Sequence, residues 1–143
     1  MLSNDMELYP PLKIFIADDD ADDREFLRFL FEKNDRFEIL GCYDSGAAVI
    51  EQINKGNVPD MLLIDMYMPK MTGAEVLTQL IEQGHSRKLF VFVISTTVNQ
   101  SQQEIFSQYP RVKFLAKPTT LEQLNDLPGQ LLESLHLANN TKV

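Results

Sequence analysis

A small set of side chains stands where chemistry depends on company. Asp18, Asp19 and Asp20 follow the apolar run KIFIA, Asp65 follows MLLI, Ser95 follows LFVFVI, and Lys117, with Pro118 next, follows VKFLA. In an open parallel sheet the ligand crevice lies beyond the carboxyl ends of the strands, so these residues are expected on one rim. If the first and third runs are neighbours, Asp18, Asp19 and Asp65 crowd together, and like charges about 4 Å apart repel by about 4 kcal/mol at an effective dielectric of 20. Something cationic must compensate. A hard divalent ion meets that need, because magnesium takes one or two carboxylates, some water and a phosphate oxygen. Lys117 adds a mobile ammonium and Ser95 a hydroxyl, both suited to hold phosphoryl oxygens. Asp65 is then the candidate nucleophile, since a carboxylate accepts a phosphoryl group covalently while a metal neutralises the developing charge.

The elements that must position these groups are legible as an alternation of short apolar runs and longer amphipathic stretches, the pattern of a parallel sheet covered by helices. Strands are predicted at Lys13 to Ala17, Phe37 to Tyr43, Met61 to Ile64, Leu89 to Ile94 and Val112 to Ala116. The first, third and fourth are nearly all apolar and belong at the buried centre, whereas FEILGCY mixes in polar residues and suits an edge. Helices are predicted at about Asp22 to Asn34, Gly46 to Lys55, Gly73 to Gln83, Asn99 to Gln108 and Leu121 to Leu137. Ser45, Thr72 and Thr120 are candidate N-caps, and Thr120 with Gln123 has capping-box spacing. Gly56 and Gly84 can end the second and third helices, and Pro110 halts the fourth. The fourth helix offers only Ile105 and Phe106 to a core and is expected to be marginal. Pro128 and Gly129 interrupt the leucine pattern of the fifth, where a kink or restart is expected.

Across nearly the whole chain, from Leu12 to about His136, the segments IFIADDD, LLIDMYMPKMTG, VFVISTT and KFLAKP occur in the order found in the receiver domain of two-component response regulators, which the sequence strongly resembles. The resemblance implies a flavodoxin-like α/β fold, a doubly wound five-stranded parallel sheet of order 2-1-3-4-5 with five helices. It implies that Asp65 is the phosphoacceptor, with Ser95 and Lys117 as the partner hydroxyl and lysine. Magnesium or manganese would be held by Asp19, Asp65 and the backbone carbonyl of Tyr67, with Asp18 acting mostly through water. The backbone amides of Met66, Tyr67 and Thr96 would cradle the phosphoryl oxygens, Pro118 would be a cis proline, and Phe114 would report activation by turning inward as Ser95 is drawn in. Tyr67 and Thr97 stand at positions that tune dephosphorylation in such proteins. The implied partners are a sensor histidine kinase or a histidine phosphotransfer protein and a downstream protein target. A homodimer is compatible with the resemblance. Residues 1–11 read as a flexible arm, 12–137 as the receiver domain and 138–143 as a frayed tail. With nothing left for an output domain, a stand-alone, non-enzymatic receiver signalling by contact is expected.

Plainer readings compete at each position. Asp20 and Asp22 suit a helix start, and Asp23 is assigned to the same solvated first turn. Ser95, Thr96 and Thr97 could bond their own loop backbone; counting from the strand end selects Ser95, with Thr96 as the alternative. Phe114 suits core packing as well as a reporting role. His85, His136 and Cys42 receive no function. Two rival functions remain: a haloacid-dehalogenase-type phosphohydrolase, disfavoured because DDADDREF lacks the Gly-Thr pair after the nucleophile, and a degenerate receiver acting as a scaffold.

Composition sets the outer bounds. The 143 residues are 44% hydrophobic, suited to one compact domain that buries roughly two thirds of its unfolded surface. A net charge of -8 lacks the basic footprint of a nucleic-acid binder, so direct DNA contact is disfavoured. The single Cys42 excludes an internal disulfide and fits a reducing, cytoplasmic setting. No apolar run approaches the roughly 20 residues of a spanning helix, so no membrane insertion is expected.

Overall fold

The computed structural model describes residues 10–85, 87–97 and 100–140. Five strands, β1 (Leu12–Ala17), β2 (Phe37–Tyr43), β3 (Met61–Asp65), β4 (Phe90–Ser95) and β5 (Val112–Ala116), form one sheet in the order β2-β1-β3-β4-β5. All pairs are parallel. The helices are α1 (Ala21–Glu32), α2 (Gly46–Asn54), α3 (Gly73–Glu82), α4 (Gln100–Phe106) and α5 (Leu121–Asn140).

The apolar runs are continuous because both sheet faces are covered, and strand side chains alternate between them. Phe15, Ala17, Leu62, Ile64, Val91 and Val93 pack with Val49 and Ile53 of α2, Val76 and Leu80 of α3 and Phe106 of α4. Ile14, Ile16, Met61, Leu63, Phe92 and Ile94 face the other way, onto Leu27, Leu30 and Phe31 of α1 and Leu127, Leu131 and Leu135 of α5. FEILGCY is indeed an edge strand, mostly half-buried.

Helix punctuation follows the sequence in most places. Asp20 caps α1 by accepting from the Asp23 amide (3.0 Å), Ser45 caps α2, and Thr72 with Glu75 forms a full capping box on α3. Gly56 and Gly84 adopt φ of +96° and +83°, the left-handed conformation that closes α2 and α3 without a Cβ clash. At α5 the box is only half made. Thr120 Oγ1 accepts from the Gln123 amide, but the Gln123 side chain turns to the amide and hydroxyl of Thr119.

Other differences are instructive. Of the kink or restart expected at Pro128, the restart does not occur: α5 runs as one helix through it to Asn140, past the expected start of a frayed tail at Ala138. Proline in a helix interior costs about 3 kcal/mol, and the buried stripe of Leu127, Leu131 and Leu135 on both sides of it offsets that penalty. The fourth helix is shorter than expected, ending at Phe106 well before Pro110, and Phe106 is its only buried side chain. Its expected first residue, Asn99, lies outside the described residues, as do 1–9 of the expected arm and 141–143 of the tail. Among the described residues no helix is long and apolar enough to cross a membrane.

Leu131 is fully buried between α5 and the sheet. Leu131→Ala is expected to lower stability by about 2–5 kcal/mol, read as a reduced urea midpoint.

Candidate functional site

Strand register decides which side chains share the carboxyl rim. Ala17 pairs with Ile64, Asp65 with Ile94 and Ser95 with Ala116, so Asp18 emerges level with Asp65, Ser95 one residue beyond that level and Lys117 two. Adjacent strands are about 4.8 Å apart. The carboxylates of Asp18, Asp19 and Asp65, from β1 and β3, each bring an oxygen within 4.8 Å of the others.

Asp18 is fully buried. Its Oδ1 accepts from the Asp20 amide (2.9 Å), and its backbone carbonyl accepts from the Arg24 guanidinium (2.8 Å). Among the described residues its Oδ2 has no hydrogen-bond partner, and it lies 3.7 Å from Lys117 Nζ. Asp65 is almost as buried; its Oδ1 accepts from the Tyr67 amide at 3.2 Å and its Oδ2 from Lys117 Nζ at 3.0 Å. Burial pushes the Asp18 carboxyl up to about 6, against the lowering influences of the Asp20 amide and Lys117, and the Asp65 charge adds to the rise. For Lys117, burial opposes the ammonium, yet the bond to Asp65 and the charges of Asp18 and Asp65 outweigh it and lift its pKa above the ordinary lysine value. A buried carboxylate oxygen left without a donor, in a cup of three acids, fits a hard divalent cation with oxygen ligands.

The loop from β3 to α3 is shaped by a close approach. A Cβ on Gly73 would lie 2.9 Å from the Asp65 carbonyl oxygen and 3.0 Å from Met66 Cα, so only glycine lets α3 begin directly against the strand end. Lys70, in the same loop, has φ of +70°. A non-glycine residue held there stores backbone strain, a frequent feature of functional loops.

Some expected roles meet a different arrangement. The Met66 amide donates to the Ile94 carbonyl at 2.8 Å, so the sheet ladder already claims it, whereas the Tyr67 amide points at Asp65. Thr96 is exposed beside the rim. The Ser95 hydroxyl donates to the Thr97 carbonyl (2.5 Å) and accepts from the Thr97 amide (3.2 Å), the local turn that competes with any reach toward Asp65. Thr97 Oγ1 is in turn 2.8 Å from the Tyr67 hydroxyl, which ties the two loops together. Pro118 corrects an expectation: its peptide bond is trans, and among the described residues none is cis. A tertiary amide separates the isomers by only about 0.5–1 kcal/mol, and Lys117 reaches Asp65 from the trans form. Phe114 is half-buried and stacks on Phe106 of α4, with centroids 6.0 Å apart.

Asp23 was missed by the sequence reading, which left it to the helix start. Its Oδ2 is 3.3 Å from Lys117 Nζ. The signal was there: with Asp20 as N-cap, the first turn of α1 carries Asp23 back over the rim.

A sheet wound in both directions from the β1–β3 crevice, with an acidic cup and a lysine at that crevice, defines the CheY-like class of flavodoxin folds. The response regulator receiver domain family matches residues 14–127, and the chain belongs to that family of two-component signalling proteins. Transcriptional regulatory protein YdfI of Bacillus subtilis is 34% identical over 113 residues, covering 78% of this chain and 51% of that protein. Protein-glutamate methylesterase/protein-glutamine glutaminase 5 of Myxococcus xanthus is 28% identical over 136 residues, covering 93% of this chain and 38% of that one. The chain thus spans about half or less of the length of these relatives. Among solved structures, the response regulator domain of Thermotoga maritima CheB superposes with a TM-score of 0.70 at 19% identity, over 90% of this chain and 97% of that one. The isolated receiver domain of RcsB from Salmonella enterica gives 0.69 at 18%, over 85% and 86%.

Because the folded protein holds the Asp18 proton more tightly than the unfolded chain, stability in chelator is expected to fall as pH rises from 3.8 to about 6. Asp18→Asn should remove that slope and be more stable than the wild type at pH 7 by about 1–3 kcal/mol, one pKa unit being ~1.4 kcal/mol, in urea melts across pH. Gly73→Ala should lower stability by about 1–3 kcal/mol and weaken divalent uptake measured by calorimetry, because backbone at Asp65 must move.

Proposed function

We propose that this receiver accepts a phosphoryl group on Asp65 from a phosphohistidine of a sensor histidine kinase or a histidine phosphotransfer protein. An Asp65 carboxylate oxygen attacks phosphorus, the P–N bond breaks, and the donor imidazole leaves neutral, its other nitrogen protonated. The observation that carries the reading is the contact of Lys117 Nζ with Asp65 Oδ2 at 3.0 Å inside the acidic cup. Asp18, Asp19, Asp65 and the Tyr67 carbonyl would hold magnesium or manganese, which supplies positive charge against the transferring oxygens. Lys117 neutralises charge on the acceptor and then on the phosphoryl group.

The response begins with Ser95. To donate to a phosphoryl oxygen its hydroxyl must give up the bond it donates to the Thr97 carbonyl, which loosens the loop tied to Tyr67. Phe114 lies across a cavity of about 30 Å³ lined by Ser95 and Thr97 among others. That volume suits a water and is too small for a phenyl ring, so the loop must move before Phe114 turns inward. Phe106, the only buried residue of α4, loses its stacking partner when it does. The face of α4, β5 and α5 is therefore the surface that changes toward a downstream protein, by a shift of a pre-existing equilibrium. A reducing, cytoplasmic setting for this receiver is supported by its single cysteine.

With a labelled phosphohistidine donor or acetyl phosphate, the wild type is expected to take up label only with magnesium or manganese. Asp65→Asn should lose at least about a hundredfold of it, as expected for removal of a nucleophile. Undiminished labelling of that variant would refute the assignment.

A further inference from the structure

We infer that Asp23 is a positioning residue that competes with the incoming phosphoryl group for the Lys117 ammonium. The inference rests on the proposed phosphoacceptor role of Asp65. Lys117 Nζ has two near carboxylate partners, Asp65 Oδ2 at 3.0 Å and Asp23 Oδ2 at 3.3 Å, with Asp18 Oδ2 farther away at 3.7 Å. Asp18 and Asp65 belong to the acidic cup, whereas Asp23 stands outside it, in the first turn of α1, with its side chain half exposed. Its own amide bonds Asp20 Oδ1, so the helix start is capped without the Asp23 carboxylate. That carboxylate is left to act on the lysine.

The ammonium also has room to lean toward it. A cavity of about 200 Å³ beside the lysine is lined by Asp18, Asp22, Asp23, Phe26, Lys117 and Leu124 among others. Two effects then have the same sign. Asp23 holds Lys117 back from the phosphoryl oxygens, and its negative charge opposes the arrival of another anion near the same ammonium. An exposed ion pair contributes little, so the difference is modest and sensitive to salt. Had Asp23 aimed Lys117 at the phosphoryl group instead, its removal would weaken anion binding.

The test is beryllofluoride titration at saturating magnesium, followed by amide NMR shifts, on the wild type, Asp23→Asn, Asp23→Glu and Asp22→Asn. Asp23→Asn is expected to bind about two- to fivefold tighter than the wild type at low salt, with the gap shrinking at high salt. Asp23→Glu should restore wild-type affinity. Asp22→Asn makes the same change in net charge on the same cavity wall, but Asp22 is not among the carboxylates paired with Lys117, so this variant should stay within about 1.5-fold. Equal or weaker binding by Asp23→Asn, or an equal gain in Asp22→Asn, overturns the inference. The Lys117 side-chain resonances without any ligand provide the second measurement: they should shift in Asp23→Asn and not in Asp22→Asn, and an unmoved Lys117 also overturns it. If the wild type binds no beryllofluoride, the phosphoacceptor reading fails, and the competition proposed with it, whatever Lys117 shows.

Discussion

The structure turns on a crowding of negative charge at the end of a rigid sheet. Parallel pairing of β1 with β3 forces Asp18, Asp19 and Asp65 to one level, and two of the three are buried. Water cannot screen them there as it would on a surface, and desolvation raises the Asp18 carboxyl far above its usual range. Lys117 is the counterweight, delivered from β5 across the top of β4. An anionic cup so arranged suits a dication.

The rest of the fold is divided between holding that cup and responding to it. The central strands, packed on both faces, and the tight start of α3 at Gly73 leave the acids little freedom to separate. On the opposite side of the crevice, α4 is anchored by a single buried aromatic that stacks on Phe114, and the Ser95 hydroxyl is held by its own loop. Mobile elements come from the low-stability end of a structure. The sparse core contacts of α4 therefore lie beside Phe114, the residue proposed above to respond to Ser95.

Hydrogen bonds set the position of the loop that follows β4. Ser95, Thr97 and Tyr67 form a connected polar series beside the rim. Exchange of one bond for another has a small net free energy, near 1 kcal/mol. Under the function proposed above, a shift of that size is within reach of a ligand that prefers one state.

Fold class, strand positions, the edge character of β2 and the candidate acids and lysine were all legible in the sequence, because burial on two faces writes itself as apolar runs and strand ends carry the polar residues that follow. Capping by Ser45 and Thr72 and closure at Gly56 and Gly84 were equally readable, being local. Tertiary packing decided the rest. Pro128 stays inside α5 because leucines on both sides of it are buried against the sheet; Met66 lends its amide to a neighbouring strand; Ser95 turns to Thr97; and Asp23 reaches Lys117, ninety-four positions away in the chain. Residue types declare what a group is able to do, but which partner it meets is settled by competition among groups that only the folded chain brings within 3 to 4 Å.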